Sequence, residues 1–390
     1  MPPKHVLVGM DTASELSPEA LADRIESRER VALLDVRNRE EVDAWRIEGA
    51  SVESTTVPYM KFLSANATGG VEELVDAEES YVVVCPRGES SAEVASMLVD
   101  AGIDAVNLAG GMHGWARVYR RSRISPDATT ATVYQYRRPA SGCLGYLVVS
   151  GEEALVVDPL RAFADRYATD AEADGASVEY VLDTHVHADH FSGLRRIAEA
   201  TDATAHLSET AADRGVTYAV ETVSDGDRIH VGDATVEVLS TPGHTTGAVS
   251  LCVDDLLLSG DSLFLDGAPR PDLQQGDESA PQFARTLYDS LTERLAPLPD
   301  EVVVAPGHFP PGAEPADDGT YTARLGDLRE RLSVFSESRE VFVERVLDSM
   351  GAPPANYERI IAANLGRETV ADDDAFELEL GPNNCAVAAE

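Results

Sequence analysis

The sequence predicts an α/β domain with a parallel sheet, then an α+β domain of helix-covered sheets, and finally a mainly helical C-terminal extension. Three observations predict this order. In the first third of the 390 residues, short apolar runs alternate with amphipathic helical stretches, which is typical of a parallel sheet. Strand-like runs then recur, several of them followed by a histidine or an aspartate. From about residue 321 the periodicity becomes mainly helical.

The first domain is predicted over residues 15–122. The runs "RVALLDV" (30–36) and "YVVVC" (81–85) predict buried strands, and "SSAEVASMLVDAG" predicts an amphipathic helix that ends at Gly102. A polar, turn-prone stretch then predicts a linker at 123–132.

The second domain is predicted over residues 133–320. The segment "CLGYLVVSGEEALVVDP" (143–159) has the pattern of a hairpin around Ser150 and Gly151. Further strands are expected at "YVLDT", "ATVEVLS" and "EVVVAPGH", with helical stretches between them. Residues 321–390 form the predicted helical extension.

Three histidines lie within six positions in "THVHADH", directly after a predicted strand. His185 and His187 are two residues apart and can face one point, while Asp189 and His190 can face a neighbouring point. Neutral imidazole and carboxylate are the usual ligands of zinc or iron. The alternative is a histidine-rich loop that binds no metal.

Three more candidate ligands each follow an apolar strand. They are His244 in "STPGHTTG", Asp261 in "LLLSGDSLF" and His308 in "VVVAPGH". Five of the nine histidines therefore occupy strand-exit positions, where a sheet delivers side chains to its rim. Together these residues predict a metal centre.

The motifs HxHxDH, TPGHT, GDSLF and PGH resemble the metallo-β-lactamase fold over about 131–320. They match the branch that holds glyoxalase II-type thioester hydrolases and persulfide dioxygenases, and they imply an αββα sandwich. The stretch "GAPRPDLQQGDESAPQFARTLYDSL" resembles the persulfide dioxygenases, with Arg270, Asp272 and Gln275 in their R-x-D-x-Q-Q pattern. The ending "GPNNCAV" also resembles that branch.

This resemblance implies one Fe(II) per chain, held by His185, His244 and Asp261, with open positions for O2 and a persulfide sulfur. The products would be a thiol and sulfite. The remaining metal-type side chains would orient these ligands or hold a second metal: His187, Asp189, His190 and His308.

The R-x-D-x-Q-Q residues are candidates for substrate binding. The planar fork of Arg270 suits a substrate carboxylate, and a salt bridge to Asp272 is the alternative. The competing activity is hydrolysis, because the same ligand set could hold two Zn(II) ions, or one, that activate water against a thioester.

Cys85 ends a predicted strand, and the loop "CPRGESS" leads from it into a helix. Loop amides and a helix N-terminus favour negative charge, so a thiolate or persulfide there is stabilised; the alternative is a buried structural cysteine. With "LLDVRNREEVDAWRIEGA" and "NLAGGMHGW", this loop resembles rhodanese domains over about 20–120. The resemblance implies sulfane sulfur carried on Cys85, with Arg87, Gly88 and Ser90 in its loop. Ser90 stands where many rhodaneses have arginine, which weakens the case for thiosulfate as the donor.

The composition limits the partners. With 69 acidic and 31 basic residues, the net charge is −38, which disfavours nucleic acid and anionic membranes. Such an acidic surface is typical of proteins from salt-loving organisms, and we expect a halophilic, haloarchaeal protein. No apolar run approaches the roughly 18 residues that span a bilayer, and the start does not resemble a secretory signal.

The four cysteines are far apart and form no CxxC pair, which argues against disulfides and indicates a reduced, cytoplasmic protein. Cys143 and Cys252 lie in strand-like runs and are expected in the core, whereas Cys385 near the tail is expected to be exposed. A homo-oligomer is possible.

The sequence as a whole predicts a sulfur-metabolism enzyme. A low-molecular-weight persulfide or thiol and O2 would be its partners, and Fe(II) its cofactor. One alternative is a two-zinc thioester hydrolase with a rhodanese module attached, and the other is a non-catalytic protein that binds or senses sulfur.

Overall fold

The computed structural model describes residues 13–125, 129–382 and 384–386. The chain divides into two compact units, Met1–Val118 and Tyr119–Glu390. The predicted linker lies partly outside the described residues. The strand Arg120–Arg123, which spans the predicted end of the first domain and the start of that linker, belongs to a sheet of the second unit.

The described residues of the first unit, from residue 13 onwards, form five strands and five α-helices. The strands are β1 (Glu15–Leu16), β2 (Val31–Asp35), β3 (Val52–Thr56), β4 (Tyr81–Val84) and β5 (Ala105–Leu108). The helices are α1 (Pro18–Glu26), α2 (Arg39–Ala44), α3 (Tyr59–Thr68), α4 (Glu89–Asp100) and α5 (Gly111–Trp115). The strands form one sheet in the order β1-β5-β4-β2-β3, and all its pairs are parallel.

The apolar runs of the first unit explain this sheet. All five residues of β2 and all four of β4 are buried, as expected for parallel strands that are covered by helices on both faces. Phe62 of α3 and Val94 and Leu98 of α4 pack on Leu34 and Val83 of the sheet. The predicted α/β domain with a parallel sheet is confirmed.

In the second unit, the residues that the structure describes form two sheets. The strands of the first are β6 (Arg120–Arg123), β7 (Thr132–Arg138), β8 (Cys143–Ser150), β9 (Glu153–Val157), β10 (Ser177–Leu182), β11 (Thr204–Ser208) and β12 (Glu221–Val223). The strands of the second are β13 (Arg228–Val231), β14 (Ala234–Ser240), β15 (Val249–Val253), β16 (Leu256–Gly260), β17 (Val303–Pro306) and β18 (Ala323–Arg324). Each sheet follows chain order and mixes parallel with antiparallel pairs.

Eight α-helices within the described part of this unit accompany the sheets. They are α6 (Ala164–Ala173), α7 (Leu194–Thr201), α8 (Glu209–Ala212), α9 (Ala280–Asp289), α10 (Leu325–Arg331), α11 (Arg339–Asp348), α12 (Tyr357–Asn364) and α13 (Asp372–Leu378). A π-helical turn, Ser290–Leu295, continues α9. None of the helices in the described part of the chain combines the length and apolar character that a bilayer crossing requires.

The two sheets pack face to face. One apolar cluster joins strands of both, including Leu144 and Val157 from the first sheet and Val238 and Leu258 from the second. A second cluster packs α6 and α7 on the outer face of the first sheet, and a third packs α9, α10 and α11 against the second sheet. This arrangement is the expected αββα sandwich, and the mainly helical extension is also confirmed.

Candidate metal centre and cysteine loop

The candidate metal ligands lie in loops just beyond strand ends. His185 follows β10, His244 follows β14, Asp261 follows β16 and His308 follows β17. Strands β14, β16 and β17 run in the same direction, so their exits meet at one edge. A glycine permits the close approach, because a Cβ on Gly307 would lie 2.4 Å from Asp261 Oδ1.

Three side chains converge on one point. Nε2 of His185 and Nε2 of His244 each lie 3.8 Å from Oδ2 of Asp261. All three residues are about 1% exposed, and none of these three atoms has a hydrogen-bond partner among the described residues. Burying such groups unpaired is costly, whereas a metal ion would satisfy all three at once. Two imidazoles and one carboxylate suit zinc or non-haem iron, so the residues fit a metal ion.

The far nitrogens of the two histidines fix the direction of their rings. Nδ1 of His185 lies 3.1 Å from Oγ1 of Thr184, which in turn donates to Asp158. Nδ1 of His244 donates to the backbone oxygen of Arg270, at 2.7 Å. Burial lowers the pKa of both histidines, which keeps their imidazoles neutral, the form that binds metal.

His308 bridges two carboxylates. Its Nδ1 lies 2.8 Å from Asp261 Oδ1, and its Nε2 lies 3.0 Å from Asp189 Oδ2. Although burial acts to lower it, the two carboxylates hold the pKa of His308 well above its usual value. The ring therefore carries positive charge and donates through both nitrogens.

The same Asp189 oxygen has two further neighbours. Nδ1 of His190 lies 3.1 Å from it, and the Cys143 thiol donates to it at 3.2 Å. Nε2 of His187 lies 3.1 Å from Asp158 Oδ1. Its ring lies between those of His185 and His190, tilted against both, with centroids 4.2 Å away on each side.

The three residues predicted to bind substrate differ in their contacts and in their exposure. The Arg270 guanidinium makes a bidentate ion pair with Asp272, at 2.7 and 2.8 Å, which is the alternative raised by the sequence. It also donates to the backbone oxygens of Ala352, Asn384 and Gly351. Gln275 is exposed, and it is Gln274 that contacts the loop after His244, through Thr246. A substrate-binding role for these residues stays a prediction.

Two cysteines belong to the centre although the sequence did not assign them. The expected exposure of Cys385 is wrong: the residue is fully buried, with its thiol within 4.8 Å of ligand atoms of Asp261 and His308. The reason is Arg270, whose backbone N–H and side chain hold residues 384 and 385 across the site. Cys143 is buried as expected, but it also lies beside Asp189.

The cysteine loop of the first unit holds Cys85 at the start of α4. The Sγ atom accepts a hydrogen bond from the Gly88 N–H at 3.1 Å, and the Ser91 hydroxyl oxygen also lies 3.1 Å from it. Gly88 has a left-handed backbone, with φ of 98°, which glycine adopts without strain. The N-terminal end of α4 thus presents a backbone N–H to the sulfur atom.

The other loop residues divide into exposed and buried positions. Arg87 is exposed and Ser90 is half-buried, and their predicted roles stay predictions. Ser91 was not predicted from the sequence. It is fully buried, and its hydroxyl also lies 2.7 Å from Asn107 Oδ1. Its position in the first turn of α4, on the face towards Cys85, is the sequence signal that could have identified it.

Comparison with known proteins shows which families the two domains match. Residues 138–308 match the metallo-beta-lactamase superfamily, and residues 17–118 match the rhodanese-like domain. The human protein named "Persulfide dioxygenase ETHE1, mitochondrial" is 32% identical over 202 residues, which cover 49% of this chain and 74% of the human protein. The chain belongs to the metallo-beta-lactamase superfamily and is homologous to the persulfide dioxygenase ETHE1.

Other superfamily members show the range of the homology. A crystal structure of ETHE1 from Myxococcus xanthus is 30% identical with a TM-score of 0.52, covering 60% of this chain and 98% of that one. The hydroxyacylglutathione hydrolase of Xanthomonas oryzae pv. oryzae is 35% identical over 162 residues, or 42% of this chain and 58% of the hydrolase. This superfamily member therefore has both dioxygenase and hydrolase homologues, and its rhodanese-like domain supports a role in sulfur metabolism.

Proposed function

We propose that this protein oxidises a low-molecular-weight persulfide to sulfite and a thiol at a mononuclear Fe(II) centre. Its first domain would carry sulfane sulfur on Cys85. The single observation that carries the proposal is the convergence of His185, His244 and Asp261, each with a buried ligand atom that has no hydrogen-bond partner in the described part of the chain. Two histidines and one carboxylate leave open positions on a non-haem iron.

His308 favours one metal ion over two. Both of its ring nitrogens already face carboxylate oxygens, at 2.8 and 3.0 Å, so neither is available to a second metal in this arrangement. In this position the ring orients the carboxylates of Asp261 and Asp189. A single ion is therefore the simpler occupant.

The proposed reaction is balanced by one water molecule: persulfide, O2 and water give thiol and sulfite, with two protons released when the sulfite is fully ionised. The sulfane sulfur loses four electrons and O2 accepts them. When bound, Fe(II) would supply adjacent positions for the persulfide sulfur and O2. The protein keeps His185 and His244 neutral, fixes their rings through Thr184 and the Arg270 carbonyl, and holds a proton on His308 beside the Asp261 ligand.

The Cys85 loop supports a sulfurtransferase role in the first domain. The Gly88 N–H donates to the sulfur atom and the Ser91 hydroxyl lies 3.1 Å from it, and all four cysteines of the chain are free. The persulfide sulfur would accept the same donors. We propose a reduced, cytoplasmic location on the same ground.

A second candidate function is thioester hydrolysis with two zinc ions. It is favoured by His187 Nδ1, Asp189 Oδ1 and His190 Nε2, which are also buried without a hydrogen-bond partner among the residues that the structure describes. The hydroxyacylglutathione hydrolase homologue points in the same direction.

The deciding experiment combines metal analysis with two assays on protein purified without added metal. We expect about one iron per chain, oxygen uptake with a persulfide, and no thioester hydrolysis. Two zinc ions per chain with hydrolysis and no oxygen uptake would favour the second candidate instead.

Cys85→Ser tests the first domain separately. The change removes the sulfur carrier but leaves the metal centre untouched, so sulfur transfer should vanish while oxygen uptake is retained. Loss of oxygen uptake in a folded variant would show that the two activities are not independent.

A further inference from the structure

The loop that follows β10 depends on the C-terminal extension for its shape. Residues 183–191 form neither helix nor strand, and all of them are buried. Buried backbone groups need hydrogen-bond partners. Four backbone groups of residues 187–192 find theirs on two side chains of the extension, Asn364 and Glu379.

Asn364, at the end of α12, uses its whole amide on this loop. Its Nδ2 donates to the backbone oxygens of His187 and His190, at 3.0 and 2.9 Å. Its Oδ1 accepts the N–H of Ser192 at 2.9 Å. The side chain lies in the interior, with the residue 7% exposed. The amide thus spans the segment that contains Asp189 and His190.

Glu379, just after α13, holds the next residue of the loop. Its Oε2 accepts the N–H of Phe191 at 3.0 Å, and its Oε1 pairs with the buried Arg138 at 2.7 Å. The Phe191 ring inserts among apolar side chains of the extension: Ile360, Ala363, Val370 and Ala375. Both polar and apolar contacts therefore tie the loop to the extension.

These contacts connect to the metal ligands through a short chain of hydrogen bonds. The loop places Asp189, whose Oδ2 lies 3.0 Å from His308 Nε2. The other nitrogen of His308 lies 2.8 Å from Asp261 Oδ1. A loop that shifts would release Asp189 and, through His308, the Asp261 carboxylate.

We propose that Asn364 and Glu379 are positioning residues of the metal centre, and that α12 and α13 clamp the loop in a metal-ready form. Neither side chain is a candidate ligand; each acts through the backbone of residues 187–192. Preorganised outer contacts of this kind raise metal affinity. The inference rests on the proposed function only in taking His185, His244 and Asp261 as the metal ligands.

The test compares two identical substitutions within the extension. Asn364→Asp replaces an N–H donor pair by a carboxylate facing two carbonyl oxygens. Asn356→Asp also loses an amide hydrogen bond, but that bond goes to the backbone oxygen of Leu378, away from the loop. We expect the anaerobic dissociation constant for Fe(II) to rise about 10- to 100-fold in Asn364→Asp and less than about twofold in Asn356→Asp. Equal effects, or none in Asn364→Asp, would overturn the proposal.

Hydrogen exchange of the metal-free protein provides a readout that depends on neither iron nor activity. In the unmodified chain the Phe191 and Ser192 amides should be as protected as those of Val181 and Leu182 in β10. Asn364→Ala should accelerate exchange at Ser192 by more than about tenfold and leave β10 unchanged. Fast exchange of both loop amides in the unmodified chain would refute the clamp. A protein that binds no iron would instead refute the proposed function and leave the exchange result to decide the clamp.

Discussion

Asp261 is the side chain on which the candidate metal centre depends most, because its two oxygens have different roles. Oδ1 accepts from His308 at 2.8 Å, whereas Oδ2 faces the two histidines at 3.8 Å. Burial alone would raise the pKa of Asp261, but the contact with His308 outweighs it and holds the pKa below its usual value. The carboxylate is therefore ionised and directed at the metal position.

Asp261→Asn should remove this charge with little change in shape. Because a ligand is lost, we expect Fe(II) affinity to fall by more than the ~10- to 100-fold that removal of an outer contact costs. Iron content after anaerobic loading measures it. Asp266→Asn is the matched control, because Asp266 is exposed and its ion pair with Arg331 is long, at 3.9 Å. Full iron content in Asp261→Asn would contradict the ligand assignment.

The Arg270 side chain has a structural role, which is separate from the substrate-binding role predicted from the sequence. Its fork is engaged by Asp272 and by backbone oxygens of the C-terminal extension. Removing one partner of a buried ion pair is costly, because the other charge remains buried.

Arg270→Leu should therefore lower the free energy of unfolding by about 3–5 kcal/mol. Urea denaturation of the metal-free protein measures this loss. Unchanged stability in Arg270→Leu would contradict the structural role. If Arg270→Lys also kept its stability and raised the KM for persulfide, the substrate-binding role predicted from the sequence would be supported.

At the scale of elements, the turn between β5 and α5 shapes the Cys85 loop. Gly111 has φ of 56°, and a Cβ there would lie 2.1 Å from the Cys85 oxygen and 2.8 Å from the Gly88 nitrogen. The Met112 N–H also donates to the Cys85 oxygen, at 2.9 Å. The glycine-rich segment "AGGMHGW" is thus a brace for the sulfur-binding loop.

Gly111→Ala should open this loop and abolish sulfur transfer, at a cost of at least about 1–3 kcal/mol in backbone strain alone. A sulfurtransferase assay and thermal unfolding measure the two effects. Gly102→Ala is the control: its φ is 86°, but a Cβ there meets no atom within 4 Å in the described chain. It should share the strain and keep the activity; equal losses of sulfur transfer in both variants would refute the brace.

The elements also show what the sequence could and could not predict. Strand periodicity located β2, β4, β10 and β16, and strand ends located the candidate ligands, because both signals are local. Asn364 and Cys385 were not found, since their contacts span more than a hundred residues and depend on how α12, α13 and the tail pack. No local pattern encodes such a contact.

At the scale of the whole molecule, the acidic surface is the dominant feature. The net charge of −38 produces self-repulsion that salt screens, and the Debye length falls from about 10 Å at 0.1 M to about 3 Å at 1 M. Several arginines are already engaged in surface ion pairs, such as Arg30 with Glu53 and Glu79.

The midpoint of thermal unfolding should therefore rise between 0.1 and 2 M KCl. We expect an increase larger than the ~2–4 °C that 1 kcal/mol produces in a domain of this size. Scanning calorimetry of the full chain measures it. A midpoint indifferent to KCl would show that the charge does not limit stability and would count against a halophilic protein.

The number and identity of the metal ions in the centre test the account most directly. Anomalous diffraction at the iron and zinc absorption edges, on crystals of protein loaded with Fe(II) under anaerobic conditions, locates each ion. We predict one iron peak among His185, His244 and Asp261, with His308 still between its two carboxylates. Two peaks, the second beside Asp189 and His190, would contradict a mononuclear dioxygenase.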